Sequence, residues 1–109
     1  LYGVVGVFLV FCILMAGCTG TQNSDKKTYI VGIDGEYPPY SYIEESGKAV
    51  GFDVESIQWI AAQNGFAVEI KPVAWDGIIP ALQQGKIDMV YSGMTIMPER
   101  QAKADFSNP

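Results

Sequence analysis

The sequence predicts an α/β fold, a parallel sheet with helices packed on it, no larger than one small domain. Two observations carry this. Three β-rich runs, at 29–34, 66–71 and 87–91, alternate with stretches of helical spacing, which is the pattern of strand, crossover helix and parallel strand. The second is length, since 109 residues leave room for a single core.

The chain opens on residues 1–18, which are uncharged and almost wholly apolar, whereas all 7 Lys and Arg and all 12 Asp and Glu lie beyond residue 24. Such a segment has the character of a secretory h-region. It closes on Leu14-Met15-Ala16-Gly17-Cys18, which resembles a lipobox with Met15 where leucine is usual. The resemblance implies a lipoprotein signal peptide over 1–18 and lipid attachment at Cys18. No initiator Met or basic n-region precedes it, as expected of a sequence truncated at its start. The other reading is an uncleaved membrane helix, because about 18 apolar residues just span a bilayer. Both place the rest outside the cytoplasm and tied to a membrane, at the cell surface or in a periplasm.

Composition excludes several chemistries. Cys12 would leave with the signal, Cys18 would carry lipid, and there is no histidine. Disulfides, thiol nucleophiles, Cys/His zinc sites and Ser-His-Asp triads are thereby excluded from the soluble part, and neither metal nor cofactor is expected. A formal charge of -5 argues against nucleic acid, which requires a basic patch.

Residues 19–27 contain no apolar side chain and are expected to form a flexible tether, leaving 28–109 for the fold. The run 29–34 reads as a buried strand ended by a turn. In Gly35-Glu36-Tyr37-Pro38-Pro39-Tyr40 the prolines fix two φ angles and remove two donors, predicting a rigid loop. Residues 40–43 and 49–52 flank a polar, Gly-containing connection and read as a hairpin. Asp53 is predicted to cap a helix over 54–64, with Val54, Ile57, Ile60 and Ala61 on one face and Gly65 as its stop. Phe66, Val68 and Ile70 alternate in a second strand that Pro72 limits. The next helix is predicted to start near Asp76, with Pro80 in its first turn, and to stop at Gly85.

The third strand, 87–91, leaves the core at Tyr91 and turns through Ser92-Gly93-Met94-Thr95. A short helix follows, with Pro98 in its first turn and Arg100 on it; Met97 cannot accept a capping bond, so this helix is expected to be weak. Unpaired N–H groups at such a turn, beside an Arg, favour a carboxylate. In parallel sheets ligands bind outside the carboxyl ends of the strands. Asp34, Tyr37, Trp75 and residues 92–95 all follow strand ends, so they are expected to converge on one edge.

Taken in order, Asp34-x-x-Tyr37-x-Pro39-Tyr40, Gly51-Phe52-Asp53-Val54-Glu55, Trp75-Asp76-Gly77-Ile78-Ile79-Pro80-Ala81-Leu82, Gly85-Lys86-Ile87-Asp88, Gly93-Met94-Thr95-x-x-Pro98-Glu99-Arg100 and Asp105-Phe106-Ser107 resemble the extracellular solute-binding proteins of family 3, the polar amino-acid binding components of ABC importers. The resemblance covers 29–109. It implies part of the first lobe of a two-lobed clamshell, the type II periplasmic-binding-protein architecture, with the second lobe beyond Pro109. It also implies an amino-acid ligand, an ABC transporter permease as partner and no catalysis.

By position, Arg100 would fork the ligand α-carboxylate with help from Thr95. Gly93 would offer its carbonyl to the α-ammonium, and Ser92 would line the same turn. Tyr37 and Trp75 would wall the ligand side chain, and Asp34 would face its polar or cationic end. Half a clamshell cannot close, so the chain alone is expected to bind weakly or not at all. The same resemblance leaves two other functions open: a cyclohexadienyl dehydratase, for which Glu36 is the available acid, and a sensory ligand-binding module.

Overall fold

The computed structural model describes residues 25–109. The expected signal peptide, Cys18 and all but the last three residues of the expected tether lie outside the described residues. In chain order come β1 (Thr28–Ile33), β2 (Glu36–Tyr37), β3 (Ser41–Ile43), β4 (Ala49–Val50), α1 (Phe52–Asn64), β5 (Ala67–Pro72), α2 (Trp75–Gln83), β6 (Met89–Val90) and α3 (Pro98–Gln101).

Two sheets result. β5, β1 and β6 lie side by side and parallel, with β1 in the middle. The β6 ladder is short, but the N–H groups of Asp88 and Tyr91 extend it to the carbonyls of Ile30 and Gly32 at 2.8 and 3.0 Å. Asp88 also accepts the Ile30 N–H on its carboxylate at 2.7 Å. The second sheet, β2-β3-β4, is antiparallel.

Alternation along β1 divides the core. Val31 and Ile33 meet Val54 and Ile57 of α1 on one face. Ile30 faces the other, where Ile78 and Ala81 of α2 pack with Ile87. Each fully buried Ile contributes about 1.5–3 kcal/mol. Gly32 lets Ile87 lie directly on β1, for a Cβ there would run into its Cδ1.

Three sequence expectations are corrected. The Pro-Pro loop contains a strand: Glu36 and Tyr37 pair with Tyr42 and Ser41. Two residues before a proline are too few to carry an alternation signal. α2 starts at Trp75, one residue before the expected start, and Pro80 is its sixth residue, in the second turn rather than the first; it sits on the exposed side, where water replaces the missing bond at least cost.

Asp53 is not a cap. Gly51 takes the N-cap position with φ 116°, and the helix starts at Phe52 with no side-chain cap bond. Asp53 therefore falls inside the first turn, where it is 6% exposed and its Oδ2 finds no partner among the described residues. A helix N-terminus favours a carboxylate by about 0.3–1 kcal/mol, but desolvation outweighs this, and burial pushes the carboxyl above its ordinary 3.8.

The native state thus holds this proton more tightly than the unfolded chain. The stability this group contributes is complete below pH 3.8 and is lost as pH rises through the raised value. Asp53→Asn is expected to gain on wild type as pH climbs from 4 towards 7, read as the difference in melting temperature at about one-unit steps. A difference that does not change with pH would refute the assignment.

Candidate ligand-binding site

Because β1, β5 and β6 run parallel, their carboxyl ends open on one edge. Asp34 directly follows β1, Trp75 begins α2 three residues after β5, and Ser92, Gly93 and Thr95 form the turn after β6. Tyr37 reaches the same place from β2 and Arg100 from α3. Together these seven line one depression of about 300 Å³. The structure brings together all seven residues singled out in the sequence.

The turn after β6 is open to a ligand. Gly93 adopts φ 59°, and the N–H groups of residues 93–96 find no backbone acceptor among the described residues. In α3 Pro98 occupies the first turn, and the N-cap Met97 makes no side-chain bond. The N–H groups of Arg100 and Gln101 both reach the Met97 carbonyl at 2.9 Å, which fixes Arg100 one turn from the tip.

The Arg100 guanidinium donates through Nη1 to the Thr95 carbonyl at 3.0 Å and stands 5.4 Å over the Trp75 ring. Its bond is to a carbonyl rather than a carboxylate, so its charge stays available to an anion while the aromatic face holds the plane of the fork. Trp75 has a double role, since it also packs against the α2 core cluster.

Asp34 serves its own loop as well as the depression. Its Oδ1 accepts the Glu36 N–H at 3.0 Å, an Asx turn. Tyr37, about half exposed, stacks on Tyr40 with ring centroids 5.1 Å apart. Ser92 is nearly buried, and its hydroxyl accepts the Asp34 N–H at 2.9 Å. Ser41, which sequence reasoning passed over, lies 3.0 Å from the same hydroxyl and is fully buried. A lone serine at a strand start carries no pattern that marks it.

Three hollows adjoin the depression: one of about 600 Å³ shares Ser92 and Gly93 with it, and two more share Trp75. Of these two, one, of about 330 Å³, lies between α2 and α3 behind the Trp75–Arg100 pair. The other, of about 780 Å³, shares Asp34 and Trp75 and adds the carboxylates of Glu36 and Asp76. Only the 300 Å³ depression joins Gly93 and Thr95, two residues of that open turn, with the guanidinium and the strand ends, which is why the candidate site is placed there.

Several of the known proteins this chain is similar to are named as amino-acid binders. Over its whole length it is 39% identical to the L-cystine-binding protein TcyJ of Escherichia coli K12, of which it spans 42%. An ancestral arginine-binding protein bound to arginine superposes with a TM-score of 0.72 at 50% identity, over 77% of this chain and 37% of that one. The arginine-bound form of domain 1 from TmArgBP superposes at 0.69 with 40% identity, over 75% of this chain and 65% of that domain. An ancestral cyclohexadienyl dehydratase also matches, at 0.69 and 41% identity over 75% of this chain and 34% of that one. The fold is accordingly part of one lobe of the arginine-binding periplasmic type. The profile of the bacterial extracellular solute-binding proteins, family 3, matches residues 29–109, and the chain belongs to that family.

Proposed function

We propose that the protein of which this chain forms lobe-one structure captures an amino acid outside the cytoplasm and delivers it to an ABC importer, without chemistry. The observation that carries this reading is the single depression in which Arg100, the open N–H groups after β6 and the two aromatic walls meet. A zwitterion must be paired at its charged end to leave water, and a forked guanidinium beside free N–H groups supplies that pairing for a carboxylate. Thr95 assists Arg100, the Gly93 carbonyl takes the ammonium, and Tyr37 and Trp75 flank the side chain. Ser92 lines the turn.

The adjoining carboxylates of Asp34, Glu36 and Asp76 favour a polar or cationic side chain. The relatives whose names specify arginine agree with this preference. That a relative's first domain occurs in an arginine-bound form weighs against the expectation that one lobe alone binds only weakly, and supports an anchoring role for lobe-one residues. Cys18, if lipidated, would be the first mature residue and tie the binder to the membrane beside its permease, with the segment before it removed as signal and 19–27 as tether.

A dehydratase is the second reading, favoured by the likeness to an ancestral cyclohexadienyl dehydratase. Calorimetric titration of the full protein with the twenty amino acids and L-cystine tests the first, and incubation with prephenate or arogenate followed by mass spectrometry tests the second. Saturable micromolar binding without turnover is the expected result. Conversion of prephenate or arogenate would overturn it.

A further inference from the structure

We infer that Ser41 is a positioning residue that fixes the direction of the Ser92 proton, so that Ser92 donates into the depression and recognises an acceptor oxygen of the ligand. The inference rests on the amino-acid binding reading above. It starts from an accounting of one buried hydroxyl pair. A serine hydroxyl has one proton to donate and two lone pairs to accept with. Ser41 is fully buried, and the Ser92 hydroxyl, at 3.0 Å, is the one partner of its Oγ among the described residues. If Ser92 donated to Ser41, the Ser41 proton would be left buried without an acceptor, which is costly. Ser41 therefore donates.

Ser92 then accepts twice, from Ser41 and from the Asp34 N–H at 2.9 Å. Both lone pairs are used, and its own proton remains. Ser92 is 4% exposed and borders two openings, the depression and a hollow of about 600 Å³ that Asp53 and Tyr91 also line. Asp53 Oδ2 on that side has no partner among the described residues, so the proton finds no protein acceptor there and is left for one that a ligand brings into the depression. A hydroxyl that accepts two bonds is polarised into a better donor. The ligand atom opposite Ser92 is thus an acceptor, a carboxylate or carbonyl oxygen, and not the ammonium. The same chain of bonds ties β3, the end of β1 and the turn after β6, so the donor's position is set by the fold.

The test is a double-substitution cycle in the full protein, with whichever of the twenty amino acids or L-cystine binds tightest as the probe. Ser41→Ala and Ser92→Ala should each weaken binding roughly three- to tenfold, the range of one neutral hydrogen bond. In the Ser92→Ala background, Ser41→Ala should weaken it no further, since it acts through the Ser92 proton. A purely structural Ser41 would lower affinity equally in both backgrounds, and that result overturns the inference. So does wild-type affinity in Ser41→Ala. Should Ser41→Ala fail to fold, Ser41→Cys, which keeps a weak donor in similar volume, takes its place in the cycle. If the wild type binds none of the probes, the functional reading fails and the inference fails with it, a result distinct from binding with equal losses.

Discussion

Arg100→Ala is expected to reduce amino-acid affinity of the full protein by about two to four orders of magnitude while leaving the fold intact. A ligand carboxylate brought into the depression without its guanidinium is an uncompensated charge, and removing one partner of such a pair costs about 3–5 kcal/mol. Arg100 is only half-buried, and its bond goes to the Thr95 carbonyl within its own turn. Losing it should therefore cost the fold no more than about 0.5 kcal/mol, the usual scale for a surface change. Arg100→Lys should recover little, because an ammonium cannot fork a carboxylate or lie flat over Trp75. Titration calorimetry reads the affinity and thermal melting reads the fold. Near-normal affinity in Arg100→Ala would remove the guanidinium from the site.

The parts of this molecule that were legible in the sequence are those whose signal repeats. Val54, Ile57, Ile60 and Ala61 recur at helical spacing, and Gly65 ends that helix in the left-handed conformation with φ 75°. Val68 and Ile70 alternate, and the parallel sheet follows from strands separated by helices. The candidate site residues were legible for a different reason: Asp34, Trp75, Ser92, Gly93 and Thr95 follow strand ends, with Tyr37 and Arg100 on the segments that continue from them, and parallel strands open on a single edge. What stayed hidden depends on contacts between distant segments. Nothing near Ser41 in the sequence says that it will meet Ser92, 51 positions away. Asp53 was misjudged because aspartate is a good cap in isolation, while the backbone of Gly51 had already taken that position. Pro80 falls in the second turn rather than the first because the helix starts at Trp75, one residue before Asp76, a boundary that no capping side chain marks.

Gly51 is the position where the smallest change should do the most damage to the fold. At φ 116° and ψ 176° it occupies a region that only glycine enters readily, and a residue with a Cβ is strained there by about 1–3 kcal/mol. The added methyl would also collide with the Tyr40 carbonyl oxygen and press on that of Pro39. Those two carbonyls accept the first N–H groups of α1, from Asp53 at 2.8 Å and Phe52 at 3.2 Å. Moving them away forfeits bonds of about 1 kcal/mol each. Gly51→Ala is therefore expected to cost about 3–5 kcal/mol, a large share of the roughly 5–15 kcal/mol that holds a domain together. Gly65→Ala separates strain from collision. Its φ is also positive, but an added Cβ meets nothing within 4 Å, so only the conformational cost of about 1–2 kcal/mol remains. Urea midpoints should fall far more for Gly51→Ala than for Gly65→Ala, and equal losses would show that the carbonyls of the Tyr40 loop yield freely. If they do not yield, the consequence reaches the site. Tyr40 stacks on Tyr37, so whatever shifts the Tyr40 backbone also shifts one wall of the depression.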